Sequence, residues 1–394
     1  MKDQLVPELR FEEFEGEWEQ KNARSIFAFS KGKGLSKKDV SDDGSTPCIR
    51  YAELYTRYNE VINEVYSFTN INPTELELSK ENDVIIPASG EDRHDIAAAA
   101  CIIKSGIGLS GDINIIRHSQ EGPFLAYYLN NAAKSSIAKL AQGTSVVHLY
   151  KSQLQELKLN LPTLPEQQKI ATFLSLVDRR LAAARRRVEV LEEWKRGVAK
   201  SVFSNIDSSA YVSLSGVCKF SRGGTLSKAD LVVDGDYPCI HYGELFSKYQ
   251  AVANVIISST NSKGGKLIPE GSVVMPTSDV TPVGLATATY IKQSDVYAGG
   301  DINILTPNDG IDGTYLSMYL NYDKQSIVKL VTGTTVKHIY ISDIKTLKIP
   351  FPPLSEQTRI ARILTTIDAR ITAAQKEVAG WEEWKRGLLQ KMLV

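Results

Sequence analysis

One stretch of this chain occurs twice, and it limits the fold more than any other feature. Residues 161–200 hold Leu161-Pro162-Thr163-Leu164-Pro165-Glu166-Gln167-Gln168, an apolar-periodic run, and then Glu192-Glu193-Trp194-Lys195-Arg196-Gly197. Residues 351–390 hold Pro352-Pro353-Leu354-Ser355-Glu356-Gln357, a similar run, and Glu382-Glu383-Trp384-Lys385-Arg386-Gly387, at a constant offset of 190. A fixed offset means that one structural unit is used twice. Within the first run, Ile170, Leu174, Val177, Leu181, Ala184, Val188, Leu191, Lys195, Val198 and Val202 are spaced alternately by four and three. Ile360, Leu364, Ile367, Ile371, Ala374, Val378, Trp381, Lys385, Leu388 and Met392 repeat the series. A 3.5-residue period held this long predicts a long helix with a narrow apolar seam that needs a helical partner.

The nearest partner is the other copy. A pseudo-two-fold relation makes the pair antiparallel, with one globular part at each end. The alternative is that each helix packs on its own domain. The seam lysines are expected where the register is fixed or the helices splay. Thr163 and Glu166 have capping-box spacing and Pro165 suits a first turn; in the second copy Pro353 replaces Thr163, so Ser355 is expected to cap. At about 1.5 Å per residue the seam measures roughly 48 Å, the length of about 14 base pairs.

The repeat divides the chain into a globular part at 1–160, a helix at 161–206, a second globular part at 207–349 and a second helix at 350–394. Composition is that of a globular protein, 42% hydrophobic and 23% charged, and the acidic start (Glu12, Glu13, Glu15, Glu17) is unlike a secretory signal. The longest apolar run, Ile96–Ile103, is too short to span a bilayer. Cys48, Cys101, Cys218 and Cys239 show no CxxC spacing, so a reduced, structural role and a cytoplasmic location are expected. The 46 basic and 46 acidic residues cancel, but not evenly: 161–206 has nine basic and five acidic residues, whereas 1–160 has 18 and 23. A simple basic nucleic-acid binder is therefore disfavoured, and any DNA footprint must come from local loops.

The globular parts match segment by segment. Pro47-Cys48-Ile49-Arg50-Tyr51 answers to Pro238-Cys239-Ile240-His241-Tyr242, Val84-Ile85-Ile86-Pro87 to Val273-Val274-Met275-Pro276, and Gly111-Asp112-Ile113-Asn114 to Gly300-Asp301-Ile302-Asn303. Short β-branched runs between Gly, Pro and Asp predict strands, and Pro123–Leu140 and Thr314–Leu330 each predict one helix. Residues 1 to about 20, anchored by Leu9, Phe11, Phe14 and Trp18, are expected at the base of the first part. The fold class is α+β: two pseudo-symmetric mixed domains separated by an antiparallel coiled coil of two long helices.

With these residues in place, the chain resembles the specificity subunit of type I restriction-modification enzymes. The carrying pattern is Gly-Thr-Ser/Thr, an apolar stretch, Leu-x-Leu-Pro-x-Leu-x-Glu-Gln and a heptad helix, doubled over nearly the whole length. The opening Val6-Pro7-Glu8-Leu9-Arg10-Phe11 with Trp18 is also similar. The resemblance implies two target-recognition domains that read a bipartite, interrupted site in double-stranded DNA, for defence against foreign DNA. It implies docking of two methyltransferase and two motor-nuclease restriction subunits. S-adenosylmethionine, ATP and Mg are expected on those partners, with no cofactor, metal or catalytic residue in this chain.

Base readout needs Arg, Lys, Asn or Gln on loops that reach a groove, and phosphate contact favours Gly, Ser, Thr and Lys. Candidate DNA contacts on the Gly-rich loops are Lys31, Lys33, Lys37, Lys38, Arg222, Thr225 and Lys228, an exposed solvated hairpin being the alternative. Ser89, Arg93 and His94 in one copy, and Thr277, Ser278 and Thr281 in the other, belong to segments that diverge while their flanks match. Two different half-sites require that divergence; a drifting loop gives it too. Thr144, Ser145, Thr334, Thr335 and Lys337 are candidate phosphate contacts or plain turn residues, and Arg50, Tyr51, His241 and Tyr242 candidate groove residues. Candidate docking residues are Glu166, Gln167, Trp194, Arg196, Glu356, Gln357, Trp384 and Arg386. Three readings remain: a DNA-specificity subunit, a structural coiled-coil adaptor, and a DNA-modifying enzyme. The last lacks any Gly-x-x-x-x-Gly-Lys-Ser/Thr or Asn-Pro-Pro-aromatic motif.

Overall fold

The computed structural model describes residues 5–143, 145–207 and 211–394. Two long helices dominate, α1 (Leu164–Ser204) and α2 (Leu354–Met392). The chain forms two compact units, one of residues up to 184 with 376–394, the other of 185–375. Each unit therefore holds the start of one long helix and the end of the other. In the first unit Ile170, Ala171, Leu174 and Val177 share a core with Leu388, Leu389, Met392 and Leu393. In the second, Ile360, Ala361 and Leu364 share one with Ala199 and Phe203. The pairing is antiparallel, and both cores also hold domain residues such as Tyr127 and Tyr315. Packing on the partner helix and packing on the domain are thus combined, because a helix two-faced enough to do both buries more apolar surface than a seam alone. Each fully buried Leu contributes about 1.5–3 kcal/mol.

Each globular part is built on a five-stranded sheet. In the first unit the order is Phe27–Lys31, Ile113–His118, Val84–Pro87, Ala100–Ile102, Val61–Ile62, antiparallel except for the last pair. In the second it is Cys218–Arg222, Ile302–Pro307, Val273–Pro276, Thr289–Ile291, Val252–Ala253, with the same senses. The central strand is buried on both faces: Val84 and Ile86 join the core under the long helices, while Ile85 joins a second cluster with Ile49 and Leu109. Val273, Met275 and Val274 divide the same way. That is why these strands read as continuous apolar runs instead of alternating ones. A second mixed sheet lies beside the first, built in the first unit on Thr46–Ile49 and Gly108–Leu109, which pair in parallel.

Three local expectations are corrected. Pro123–Leu140 is not one helix but two, Gly122–Asn130 and Lys134–Leu140, and Thr314–Leu330 divides into Gly313–Tyr322 and Lys324–Val328. Asn and Asp side chains compete for backbone groups at both breaks: Asn131 Nδ2 donates to the Tyr127 carbonyl (2.7 Å), and Asp323 Oδ1 accepts from Ser326 N. The Glu166 carboxylate does not close a capping box on Thr163; it turns to Arg10 and Trp18. Ser355 lies inside the first turn of α2, where the Pro353 carbonyl accepts from Glu356 N (2.9 Å) and Gln357 N (3.1 Å). The N-terminal segment does pack at the base of the first unit, with Trp18 2% exposed and Leu9 N donating to the Lys391 carbonyl (2.9 Å).

Candidate nucleic-acid interface

One end of each five-stranded sheet gathers the loops that the sequence singles out. Register sets this: Lys31 lies opposite Asn114 and Pro87 opposite Ile113, so the Gly-rich loop and the divergent segment leave the sheet side by side. Arg222 opposite Asn303 and Pro276 opposite Ile302 repeat the arrangement in the second unit. Tyr51 reaches the same end, its N–H donating to Ser110 Oγ (3.2 Å) just before that strand begins.

Past Pro87 the chain forms a two-residue strand, Ser89–Gly90, paired with Val147–His148. Gln142 and His148 exchange backbone hydrogen bonds of 2.9 and 2.7 Å and close a short hairpin. Gly143 turns this hairpin with φ +115°, and a Cβ there would lie 2.1 Å from the Val146 carbonyl oxygen, so only glycine fits. In the second unit Ser278–Asp279 pairs with Lys337–His338, Thr332 and His338 close the hairpin, and Gly333 at φ +99° meets the same obstacle at Val336. A buried Asn ties each hairpin to the sheet: Asn114 Nδ2 donates to the Leu149 carbonyl (2.8 Å) and Asn303 Nδ2 to that of Ile339 (3.3 Å). The Gly-Asp-Ile-Asn match signals this tie, but nothing in the sequence alone gives it a role.

The segments on this common scaffold differ. In the first unit Asp92 Oδ1 accepts from His94 N (2.6 Å), which leaves Arg93 and His94 exposed before Ile96 enters the core. In the second, Thr281 caps the short helix Pro282–Leu285, accepting from Gly284 N and donating to Asp279 Oδ2 (2.7 Å), with Val280 and Val283 outside. Beside them stand Ser145, Val146 and Tyr150, or Thr334, Thr335, Val336 and Tyr340, all exposed. The two tyrosines stack on His148 and His338 at 6.0 and 6.2 Å. Each tip thus presents exposed hydroxyls, a stacked aromatic and short apolar side chains.

Several expected contacts are corrected. Ser89 and Thr277 are buried, the latter bonded to Asp301 Oδ1 (3.0 Å), so both build the scaffold. Ser278 Oγ is engaged with His338 Nδ1 (3.1 Å), and Lys337 Nζ donates to the Gly333 carbonyl (2.7 Å) within its own hairpin. The half-buried Arg50 lies 3.7 Å from Glu53. Thr144 lies outside the described residues. Lys33, Lys37, Lys38, Arg222 and Lys228 are exposed, Lys31 stands 3.7 Å from Asp112, and Thr225 Oγ1 donates to the Gly264 carbonyl. His241 packs on Tyr242 at 4.5 Å and accepts from Gly243 N. Burial lowers its pKa, opposed by Glu244 and reinforced by Lys228.

Among the docking candidates Glu166, Gln167 and Gln357 are corrected, because all three are buried. Glu166 takes a bidentate pair from Arg10 (2.8 Å each) and the Trp18 indole N–H. Gln167 Nε2 donates to the Pro162 carbonyl and Gln120 Oε1, and Gln357 Nε2 to the Pro352 and Gly310 carbonyls; each Oε1 accepts a backbone N–H, from Glu121 and Asp312. The repeated Glu-Gln signature thus locks a domain loop to each helix start. Glu356 faces outward with Arg359 (2.6 Å), and Arg196, Arg386 and the half-exposed Trp194 and Trp384 remain on the helix surface. The seam lysines, expected where the register is fixed or the helices splay, are both ion-paired: Lys385 Nζ meets Asp178 (2.8 Å) and Glu60 (3.0 Å), and Lys195 meets Asp368 (2.5 Å). Among the described residues no His, Cys, Asp or Glu cluster could hold a metal ion and no helix is long and apolar enough to cross a membrane.

Comparison with known proteins follows the repeat. The family described as "Type I restriction modification DNA specificity domain" matches residues 15–193 and again 207–379. The MjaVIII type I restriction enzyme specificity subunit of Methanocaldococcus jannaschii is 23% identical, over 99% of this chain and 96% of its own. Among solved structures, the S subunit of a type I restriction-modification system from M. genitalium aligns with a TM-score of 0.66 at 16% identity, covering 99% of both chains. A chain from a study of complex assembly and conformational transition of the type I system aligns at 0.56 and 17% identity, covering 95% of this chain and 97% of its own.

Proposed function

We propose, because this chain belongs to the type I restriction-modification DNA specificity family, that each of its units reads one half of a bipartite, interrupted site in double-stranded DNA. The chain is a specificity subunit with two specificity domains. The carrying observation is one scaffold bearing two different loops: the same glycine hairpin and buried Asn recur, while the segments after Ser89 and Ser278 differ in conformation and exposed chemistry. In the proposed reading Arg93, His94, Tyr150, Thr281 and Tyr340 meet the groove, and Lys37, Lys38, Arg222 and Lys228 meet phosphates.

Two methyltransferase subunits dock on the helix surfaces that carry Trp194, Arg196, Trp384 and Arg386, and two restriction subunits complete the complex in the cytoplasm. Aromatics and arginine commonly anchor such contacts. S-adenosylmethionine, ATP and Mg belong to those partners, and this chain contributes no catalytic group. The test replaces residues 207–349 with the corresponding domain of a relative and sequences the methylated sites of the host. One half-site changes and the other stays. A change in both halves overturns the assignment of one half-site to each unit.

A further inference from the structure

A groove of about 770 Å³ opens within the second unit beside its helix segments. Met318, Leu364 and Ile371 form its apolar floor, and Phe246, Tyr249 and Tyr322 stand at its aromatic rim. In the first unit the matching place is a smaller pocket of about 380 Å³, lined among others by Leu54, Tyr55, Tyr58, Glu60 and Asn130. There Lys385 is bonded by Glu60 and Asp178, and the Tyr127 hydroxyl donates to Asp178 (2.5 Å).

Backbone bonding establishes the equivalence. The Glu60 carbonyl accepts from Cys101 N and the Ala251 carbonyl from Tyr290 N, both at 2.8 Å, each just before the parallel edge strand. Asn130 and Asn321 clamp the Ala99 and Ala288 carbonyls alike (2.6 Å), and Tyr127 and Met318 precede them by three residues. Ala251 thus stands where Glu60 stands, and Met318 where Tyr127 stands. One carboxylate and one ring are missing from the second copy, and the cations remain. Lys195 keeps Asp368 alone, and Lys324, the counterpart of Lys134, has no carboxylate partner among the described residues. Burial and the nearby Lys195 charge lower the pKa of Lys324.

We propose that this groove receives an acidic side chain of the methyltransferase subunit, its carboxylate held between Lys195 and Lys324 and the partner's apolar neighbours covering the aromatic rim; this rests on the assembly read above. The partner supplies in trans the carboxylate that Glu60 supplies in cis. A free small anion would satisfy the ammonium groups but would leave Phe246, Tyr249 and Tyr322 in water, whereas a protein segment satisfies both.

The test uses the full chain with its methyltransferase subunit. A carbodiimide joins amine and carboxylate only at contact, so peptide mass spectrometry is expected to find Lys195 or Lys324 joined to an Asp or Glu of the partner. Ala251→Glu places the carboxylate in cis; the free chain melts higher, and the affinity for one partner copy falls about tenfold. Lys324→Gln lowers that affinity similarly without the gain in stability, and Lys134→Gln leaves it unchanged. The proposal is overturned if Ala251→Glu and Lys324→Gln, both folded by thermal melt, bind with wild-type affinity and no crosslink reaches either lysine. In that outcome the assembly reading still stands. Failure of the wild-type chain to bind the subunit removes both.

Discussion

Replacing the two seam lysines by methionine should have unequal effects, although both occupy the same heptad position. Lys385 is 14% exposed and meets Glu60 at 3.0 Å, Asp178 at 2.8 Å and the Tyr127 ring at 5.5 Å. Met keeps most of its volume but strands two carboxylates, 16% and 28% exposed. Stranding a fully buried ion costs about 3–5 kcal/mol; partial access to water reduces this to about 2–3 kcal/mol. Lys195 is 32% exposed and has one partner, so Lys195→Met should cost about 0–1 kcal/mol. A 1 kcal/mol change moves Tm by about 2–4 °C for 150–250 residues, so Lys385→Met should lower the melting of its unit by about 5–10 °C and Lys195→Met by at most about 4 °C. Adding Glu60→Gln to Lys385→Met should recover part of the loss, because it removes a stranded charge. Burial alone would lower the Lys385 pKa, but Glu60 and Asp178 outweigh it and raise it. The pair's contribution is therefore complete below the unfolded lysine pKa and is lost only as pH rises through the higher folded value. Calorimetry of the three variants decides the matter. Equal shifts for the two lysines, or no recovery with Glu60→Gln, would refute the claim that the carboxylates rather than the heptad position set the cost.

Other expectations can be checked with the same protein. Gly143→Ala and Gly333→Ala force an L side chain to positive φ against a carbonyl, straining each hairpin by about 1–3 kcal/mol; DNA affinity should fall while the long helices stay folded by circular dichroism. Arg93→Ala and Lys228→Ala should weaken DNA binding. A lost phosphate contact gives uniform weakening with a shallower salt slope, and a lost base contact costs about 1–3 kcal/mol with relaxed specificity; unchanged affinity in both removes these loops from the footprint. Burial, only partly offset by the Gln120 backbone, lowers the pKa of His118 to about 4. The unfolded chain then binds the proton first, so stability should fall by about 3 kcal/mol as pH drops from about 6.5 to 4, and His118→Gln should flatten that slope in acid melts.

The doubled helix, its antiparallel pairing and the α+β domains were determined by the sequence, because a 3.5-residue period and a fixed offset act over tens of residues and average out local competition. The matched segments also marked the strands, since Val84–Pro87 and Val273–Pro276 are apolar on both faces. Only the tertiary structure decided which of the marked residues face outward. Glu166 and Gln167 look like solvent-facing helix residues until Arg10 and Gln120, distant in sequence, take their hydrogen bonds. Ser89 and Arg93 stand four positions apart in one loop, and one is buried while the other is exposed because strand pairing with His148 ends between them. Both seam lysines obey one heptad rule, yet Glu60, distant in sequence, satisfies one and Ala251 leaves the other with a single partner. Periodicity encodes which face of an element is apolar; the partner of a single polar group depends on long-range placement that no local pattern carries.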